Sequence, residues 1–260
     1  QDAWIKRHFS SLGPFAMAAF PMVYGFPLYA FSLLFVPVPA LDAVFYGCYL
    51  ASLPLNGVAF LIYMNAIRIS PLSLTVPYLA FTPAFMIFTG SLVLGELPNI
   101  WGTIGIGVTC AGGYVLNIDP KDRRLFTPLR AFLAEPGSRQ MFFVAFLFSF
   151  AAVVGKKGIL HSSPLFFTLS IFSGFSPVLS IGLIWLGGVK IRTLAQSPAK
   201  GAAAGLLFFA HGVFHAYAIS LAKAAYMIAI KRLSVLFGVI YGGLFFQETH
   251  MKVRLSGAAL

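Results

Sequence analysis

The sequence predicts an all-α membrane protein whose helices cross the bilayer many times. Three observations predict this class: the composition, the spacing of the charged residues and an internal duplication. Of the 260 residues, 59% are hydrophobic and only 10% are charged, whereas soluble domains carry about a quarter charged residues. The composition therefore excludes an ordinary soluble enzyme and a disordered segment.

The net charge of +11 does not indicate a nucleic-acid-binding protein. Such proteins gather Lys and Arg on a polar surface, and this chain has too few polar residues to form one. The expected partners are the lipid bilayer and a small-molecule substrate, with the protein acting as a monomer or a homodimer. No cofactor or metal is expected.

Charge-free stretches predict the membrane spans, because a spanning helix needs about 20 mostly apolar residues. The predicted helices are numbered from two, for a reason that follows from the duplication. The second to ninth cover 12–36, 42–66, 71–95, 98–118, 140–160, 164–188, 200–221 and 223–246, and a tenth begins near Lys252.

The two halves of the chain repeat each other at one offset. Shifting the sequence by 248 − 96 = 152 positions, without a gap, superposes Glu96 on Glu248 and four further identical pairs. Those pairs are Phe85 and Phe237, Gly90 and Gly242, Leu92 and Leu244, and Gly105 and Gly257. Identical residues at a single offset along a whole half of the chain indicate an internal duplication.

The duplication divides the chain into a first repeat at 1–118, a polar connecting loop at 119–139 and a second repeat at 140–260. By the same offset, the partner of the sixth helix lies mostly before Gln1, and Leu260 maps inside the fifth helix. We therefore expect a ten-helix protein whose first helix is largely missing and whose last helix is truncated. Five helices per repeat, an odd number, force the repeats into inverted orientations, as in many transporters.

Motifs in both halves resemble a known family. The first half contains Ala66-Ile-Arg-Ile-Ser-Pro71, Pro83, Leu94-Gly-Glu96, Gly105 and Gly112-Gly113; the second contains 226–238, Gly242, Phe246-Gln-Glu248 and Gly257. These motifs are similar to the EamA domain of the drug/metabolite transporter superfamily, although Gly95 precedes the first Glu where the second copy has Gln247. The resemblance implies a ten-helix secondary transporter, in many members an exporter of metabolites. It also implies a substrate cavity lined mainly by the third, fourth, eighth and ninth helices.

Glu96 and Glu248 are predicted to be structural, together with the motif residues Pro83, Gly105 and Gly257. Each carboxylate lies where one helix ends and the next begins, with Pro98 expected in the first turn of the fifth helix. A carboxylate there interacts favourably with the helix dipole, by about 0.3 to 1 kcal/mol. Binding of a coupling ion is the alternative role.

Lys231 and Arg232 are the first candidates for substrate binding. They lie about a third of the way along the ninth predicted helix, where a charge costs roughly 2.5 to 3.5 kcal/mol on insertion scales and usually faces a cavity or a partner. The alternative is that this helix begins nearer Lys231, so that both side chains extend to the membrane interface. A guanidinium in a cavity would favour a carboxylate or phosphate on the substrate.

His211 and His215 are one turn apart on the eighth helix and share a face. The spacing could suit zinc, but the general-base Glu of the metalloprotease motif is absent. No third ligand is evident in the predicted spans. Cavity lining, proton relay and ordinary hydrogen bonding between helices stay open as alternatives.

Four further residues are candidates for the substrate cavity. By the offset of 152, Tyr63 on the third helix is the counterpart of His215, and Asn56 lies two turns before it on the same face. Tyr78 and Tyr226 are weaker candidates, because a lone aromatic side chain on a helix more often packs than binds.

Glycine and proline positions predict where helices approach closely and where they bend. Gly201 and Gly205 have the small-xxx-small spacing that allows close packing of helix backbones. Pro77 and Pro83 fall inside the fourth predicted helix, where each removes a backbone hydrogen bond.

The sequence thus favours an integral membrane secondary transporter, an exporter of small amino-acid-like or other anionic or zwitterionic metabolites, in a bacterial inner membrane. Interior carboxylates are absent from the predicted spans, which favours facilitated export or coupling through His over carboxylate-driven antiport. The alternatives are an intramembrane metal-dependent enzyme that uses the His pair and a non-transporting scaffold or sensor.

Overall fold

A computed structural model of the protein describes residues 2–9, 11–70, 75–115, 132, 135–185 and 187–232. This part of the chain is helical and contains no strand. Its helices are α1 (Asp2–Phe9), α2 (Pro14–Leu33), α3 (Ala43–Ile69), a 3₁₀ segment (Val76–Phe81), α4 (Thr82–Leu94), α5 (Ile100–Val115), α6 (Pro136–Leu160), α7 (Pro164–Trp185), α8 (Ile191–Ala195), α9 (Pro198–Leu221) and α10 (Ala224–Lys231).

Most helix ends lie within a few residues of the predicted ones, with three differences. The helix expected from residue 140 begins at Pro136, and the short helix α8 occupies a stretch predicted as a loop. The helix expected from Pro98 begins at Ile100, because the Asn99 side chain accepts a hydrogen bond from the Gly102 N–H at 2.8 Å and caps that end. The tenth helix, Glu248 and Gly257 lie outside the described residues.

Length and composition make five of these helices able to cross a bilayer: α2, the first part of α3, α6, α7 and α9. Two shorter apolar helices cover Tyr78–Leu94 and Ile100–Gly112. Trp101 near the start of α5 and Trp185 at the end of α7 are 77% and 83% exposed, as expected for tryptophans at membrane interfaces. The prediction of an all-α, multi-pass membrane protein is confirmed, while the ten-helix arrangement stays a prediction.

The helices form two compact units, each with its own packing. The first unit contains residues 1–57 and 154–221, and the second contains 58–153 and 222–260. Each unit takes helices from both predicted repeats, so the units differ from the sequence repeats.

The core of the first unit is built around α2, which packs against α7 and α9. Tyr29 of α2 is fully buried, and its ring contacts the rings of Phe172, Phe208 and Phe209. Its hydroxyl donates a hydrogen bond to the Phe208 carbonyl oxygen at 2.9 Å. The buried aromatic side chain therefore packs among apolar rings without leaving its polar atom unpaired.

Close approach of α2 and α9 depends on glycine, as the small-xxx-small spacing predicts. A Cβ atom on Gly205 would lie 2.5 Å from the Tyr24 carbonyl carbon and 2.7 Å from the Gly25 nitrogen. A Cβ atom on Gly201 would lie 2.4 Å from the Tyr24 ring. At Gly205 the obstacle is backbone, which cannot move aside as a side chain can.

Asp42 caps the start of α3. Its Oδ1 accepts a hydrogen bond from the Phe45 N–H at 2.8 Å, and its Oδ2 lies 2.6 Å from His161 Nδ1 just after α6. The Phe45 N–H, followed by the His161 side chain, holds the pKa of the Asp42 carboxyl below its usual value. The carboxylate form is thus the one that links the end of α6 to the start of α3.

We expect Gly205→Ala to lower the free energy of unfolding by about 1 to 3 kcal/mol, the usual cost of overpacking. Thermal unfolding of the purified protein in detergent measures the change. Gly182→Ala in α7 is the matched control, because its Cβ would have no described atom within 4 Å. Equal melting temperatures for Gly205→Ala and the wild type would contradict the close contact.

A second prediction concerns pH. Because the folded-state pKa of Asp42 is lowered, its contribution to stability is present above the unfolded-state pKa near 4 and is lost as pH falls through the folded-state value. Asp42→Ala should therefore melt at a lower temperature than the wild type at pH 7. The difference should shrink progressively below about pH 4, and a constant difference across that range would contradict the linkage.

Candidate functional site

The fourth predicted helix, in the second unit, changes from a 3₁₀ to an α-helix at Thr82. We call this change of helix type the break. The sequence predicts one helix over 71–95, of which 71–74 lie outside the described residues; from Val76 the chain forms a 3₁₀ segment and then α4. The 3₁₀ segment runs directly into α4, so the predicted helix changes geometry at the positions where its prolines permit a bend. Pro77 and Pro83 each take a first-turn position of their own segment, where a missing N–H is tolerated.

Thr82 completes the backbone at this break. In a continuous helix the Leu79 carbonyl oxygen would accept from the N–H of residue 83, which proline lacks. The Thr82 backbone N–H donates to that carbonyl oxygen instead, and the Thr82 hydroxyl donates to it as well, at 2.7 Å. The same hydroxyl oxygen accepts a hydrogen bond from Nη2 of Arg232 at 2.8 Å, so Thr82 joins the break to the end of α10.

The guanidinium of Arg232 thus lies beside the break in the fourth helix. Its Nε is buried and has no hydrogen-bond partner among the described residues. The Tyr63 hydroxyl and the Cys110 thiol lie within electrostatic reach of the guanidinium, and Cys110 Sγ donates to the Ala80 carbonyl oxygen at 3.5 Å. We call Arg232, Thr82, Tyr63 and Cys110 the arginine site.

Lys231 and Arg232 would extend to the membrane interface if their helix began near Lys231. The observed start of the helix tests this alternative. Helix α10 begins at Ala224, one residue after the predicted start. Lys231 therefore lies seven residues, or about 10 Å of helix axis, from that start. Both side chains are half-buried, which favours the interior position over a helix that begins near Lys231.

Glu96 caps the start of α10, a helix from the second half of the sequence. Its Oε2 accepts a hydrogen bond from the Ala224 N–H, the first of α10, at 3.0 Å. The preceding residue, Gly95, ends α4 with φ of 66°, a left-handed conformation that favours glycine. Glu96 thus caps α10, whereas the sequence predicted an interaction with the helix that follows it in the chain.

Tyr226 contributes to the same helix-end contact. Its hydroxyl accepts from the Asn99 N–H at 2.7 Å and donates to Asn99 Oδ1 at 3.0 Å. Its ring is so close to Gly102 that a Cβ there would lie 2.2 Å from it. In contrast, a Cβ on Gly105 would have no described atom within 4 Å, so the close approach of this helix lies at Gly102.

Tyr78 packs in the core of the second unit. It is 6% exposed and belongs to a buried cluster with Ala66, Met141 and Val144, and its ring contacts that of Phe132. Tyr63 packs against the edge of this cluster. Tyr78 thus packs in the core of the second unit, and binding of substrate by either tyrosine stays a prediction.

His211 and His215 lie in α9 of the first unit, with their rings nearly parallel and the centroids 6.3 Å apart. Asn56 uses its Nδ2 to donate to the Ser52 carbonyl oxygen at 2.8 Å, one turn earlier in α3. Among the described residues, no group of three or more His, Cys, Asp or Glu side chains could hold a metal ion. These contacts leave the roles of the three residues in substrate binding or proton transfer as predictions.

Sequence reasoning missed two residues of interest. Thr82 was not singled out, although its position directly before Pro83 is a signal that its hydroxyl could replace the missing N–H donor. Lys156 of α6 is 4% exposed, although it lies only four residues before the end of that helix at Leu160.

The five long apolar helices define a multi-pass membrane protein. Comparison with protein families gives a match to the EamA-like transporter family over residues 2–118. The matched residues lie in the first half of the chain, and the match confirms the resemblance that the motifs there indicate. No curated protein matches the chain significantly. The second repeat, at 140–260, stays a prediction.

We expect Tyr226→Phe to lower the free energy of unfolding by about 1 kcal/mol, because the Asn99 N–H loses its acceptor and Asn99 Oδ1 keeps only the Gly102 N–H as a donor. It should leave substrate affinity unchanged if the residue serves only the helix-end contact. Thermal unfolding and a transport KM measure the two effects, with Tyr217→Phe on the exposed face of α9 as the control. A raised KM with an unchanged melting temperature would assign Tyr226 to the substrate cavity instead.

Proposed function

We propose that the protein is a secondary transporter that exports small anionic or zwitterionic metabolites, including amino-acid-like solutes. In this proposal two inverted repeats alternate access to a central cavity in a bacterial inner membrane. The family match over residues 2–118 supports the class of transporter. The substrate class is argued from the arginine site.

The observation that carries the substrate class is the unbalanced charge of Arg232. No carboxylate pairs with this guanidinium among the described residues, and its buried Nε is unpaired there. A buried charge without a partner is costly, and the planar donor fork of arginine suits a carboxylate or phosphate. An anionic group on the substrate would supply the missing partner each time it binds.

The broken fourth helix supports the same assignment. In many transporters the substrate site is formed by discontinuous helices, whose N-termini face anionic groups. Helix α4 has 13 residues and begins at Thr82, whose hydroxyl contacts Arg232. The positive end of α4 and the guanidinium would therefore act on the same anionic group.

Equivalent helix ends support the inverted duplication. The offset of 152 carries Ile69, the end of α3, onto Leu221, the end of α9. It carries Pro14, the start of α2, onto Phe166, two residues after the start of α7. Agreement at both ends of a repeat is what a common five-helix ancestor would leave.

The described helices α2 to α10 contain no Asp or Glu. Proton coupling through an interior carboxylate of these helices is therefore not part of the proposal. Facilitated export, or coupling through His211 and His215, agrees better with the residues that α9 supplies.

We expect Arg232→Gln to reduce kcat/KM for an anionic substrate at least tenfold, because a hydrogen bond to a charged group contributes about 1.5 to 3 kcal/mol. Arg232→Lys should retain part of the activity, since it keeps the charge and loses the planar fork. Uptake by proteoliposomes containing the full-length protein, tested with carboxylate, cationic and neutral metabolites, measures the effect.

Arg192→Gln, an exposed position on α8, is the matched control, and melting temperatures show whether each variant folds. Unchanged transport of an anionic substrate by Arg232→Gln would remove the residue from the site. Absence of saturable flux for every metabolite class in the wild type would overturn the transporter assignment itself.

A further inference from the structure

A groove of about 660 Å³ lies in the second unit between the last turns of α3 and the first turns of α6. The two helices are held together at this end by polar contacts. Asn65 Nδ2 donates to Gln140 Oε1 at 3.0 Å, and the Gly137 N–H donates to the Ser70 hydroxyl oxygen at 3.2 Å. These contacts fix the walls of the groove.

Glycine makes the close contact of these helices possible. A Cβ atom on Gly137 would lie 2.6 Å from the Ser70 side chain and 2.7 Å from the Ala66 carbonyl oxygen. The Gly137 backbone therefore lies directly against Ser70 and Ala66, which keeps the ends of α3 and α6 close together.

The lining changes from polar to apolar along the groove. Arg139 and Gln140 lie within the first turn and a half of α6, whereas Phe143 lies about 10 Å of helix axis from Pro136. On α3, Leu61 lies about 12 Å from the end at Ile69. Leu61 and Phe143 are 46% and 49% exposed, so the deeper part of the groove presents apolar surface outward.

The polar end of the groove is positive. Arg139 is exposed, and none of the described residues that line the groove is acidic. The nearest acid along the chain, Glu135, does not line it; its Oε2 accepts a hydrogen bond from the Ser70 hydroxyl at 2.6 Å. A guanidinium beside two side-chain amides suits a phosphate group.

We propose that this groove binds one anionic phospholipid. The phosphate lies against Arg139, the Asn65 and Gln140 amides contact the headgroup, and an acyl chain follows Leu61 and Phe143 towards the membrane interior. Basic pockets between transmembrane helices near the membrane surface have the chemistry to select anionic headgroups. The proposal uses no residue of the arginine site and does not depend on the transported substrate.

Native mass spectrometry of the full chain in detergent tests the proposal, with phosphatidylglycerol and phosphatidylcholine of identical acyl chains titrated separately. We expect the first phosphatidylglycerol to bind about fivefold more tightly than phosphatidylcholine, the contribution of one basic residue near a charged headgroup. Arg139→Gln should abolish this preference, and Arg139→Lys should keep part of it. Arg192→Gln, which removes the same charge outside the groove, should leave it intact.

Three results would overturn the proposal. The wild type could bind both lipids equally, Arg139→Gln could keep the preference, or Arg192→Gln could lose as much of it as Arg139→Gln, which would indicate an effect of total charge. A dimer of the chain that retains no lipid would assign the groove to a subunit interface instead. Because Arg139 is exposed, equal melting temperatures for wild type and Arg139→Gln are expected to accompany the binding change.

Discussion

The requirement that every backbone polar group be paired inside the bilayer governs this protein. Lipid supplies no hydrogen bonds, so membrane-spanning segments must pair their own N–H and C=O groups. Between Val76 and Thr82, where Pro83 lacks an N–H, this requirement is met by the Thr82 backbone N–H and hydroxyl, which both donate to the Leu79 carbonyl oxygen. The Cys110 thiol donates to the Ala80 carbonyl oxygen. Arg232 is held by the same threonine. The same Thr82 hydroxyl therefore pairs a backbone carbonyl oxygen and positions the guanidinium of Arg232.

Helix ends in the second unit depend on each other in a similar way. Asn99 caps α5, Tyr226 holds Asn99, and Glu96 caps α10, which carries both Tyr226 and Lys231. The Lys223 ammonium donates to the Leu97 carbonyl oxygen at the same place. These polar contacts position the start of α10, and through this helix they position Arg232, about 12 Å further along its axis.

The proposed transport site and the proposed lipid groove use arginine in two different environments. Arg232 is half-buried, and its guanidinium has a buried Nε and one hydrogen bond to a hydroxyl. An incoming anion would therefore give this guanidinium the charged partner that the described residues do not supply. Arg139 is exposed at the start of α6, where a headgroup phosphate competes with water. We therefore expect the first to discriminate among substrates more strongly than the second discriminates among lipids.

The sequence by itself determined the all-helical membrane class, because its charged residues are few and are separated by apolar stretches long enough to span a bilayer. It also indicated the family, through Glu96, Gly95 and the neighbouring motifs. It also indicated Arg232, since an interior charge is visible in a linear sequence. Only the tertiary structure decided that the fourth helix is broken, that Thr82 contacts Arg232, that Glu96 caps α10 and that Tyr226 holds Asn99. The physical reason is sequence separation. These pairs lie more than 120 residues apart, and periodicity and propensity describe each helix alone, whereas a hydrogen bond between helices depends on how they pack.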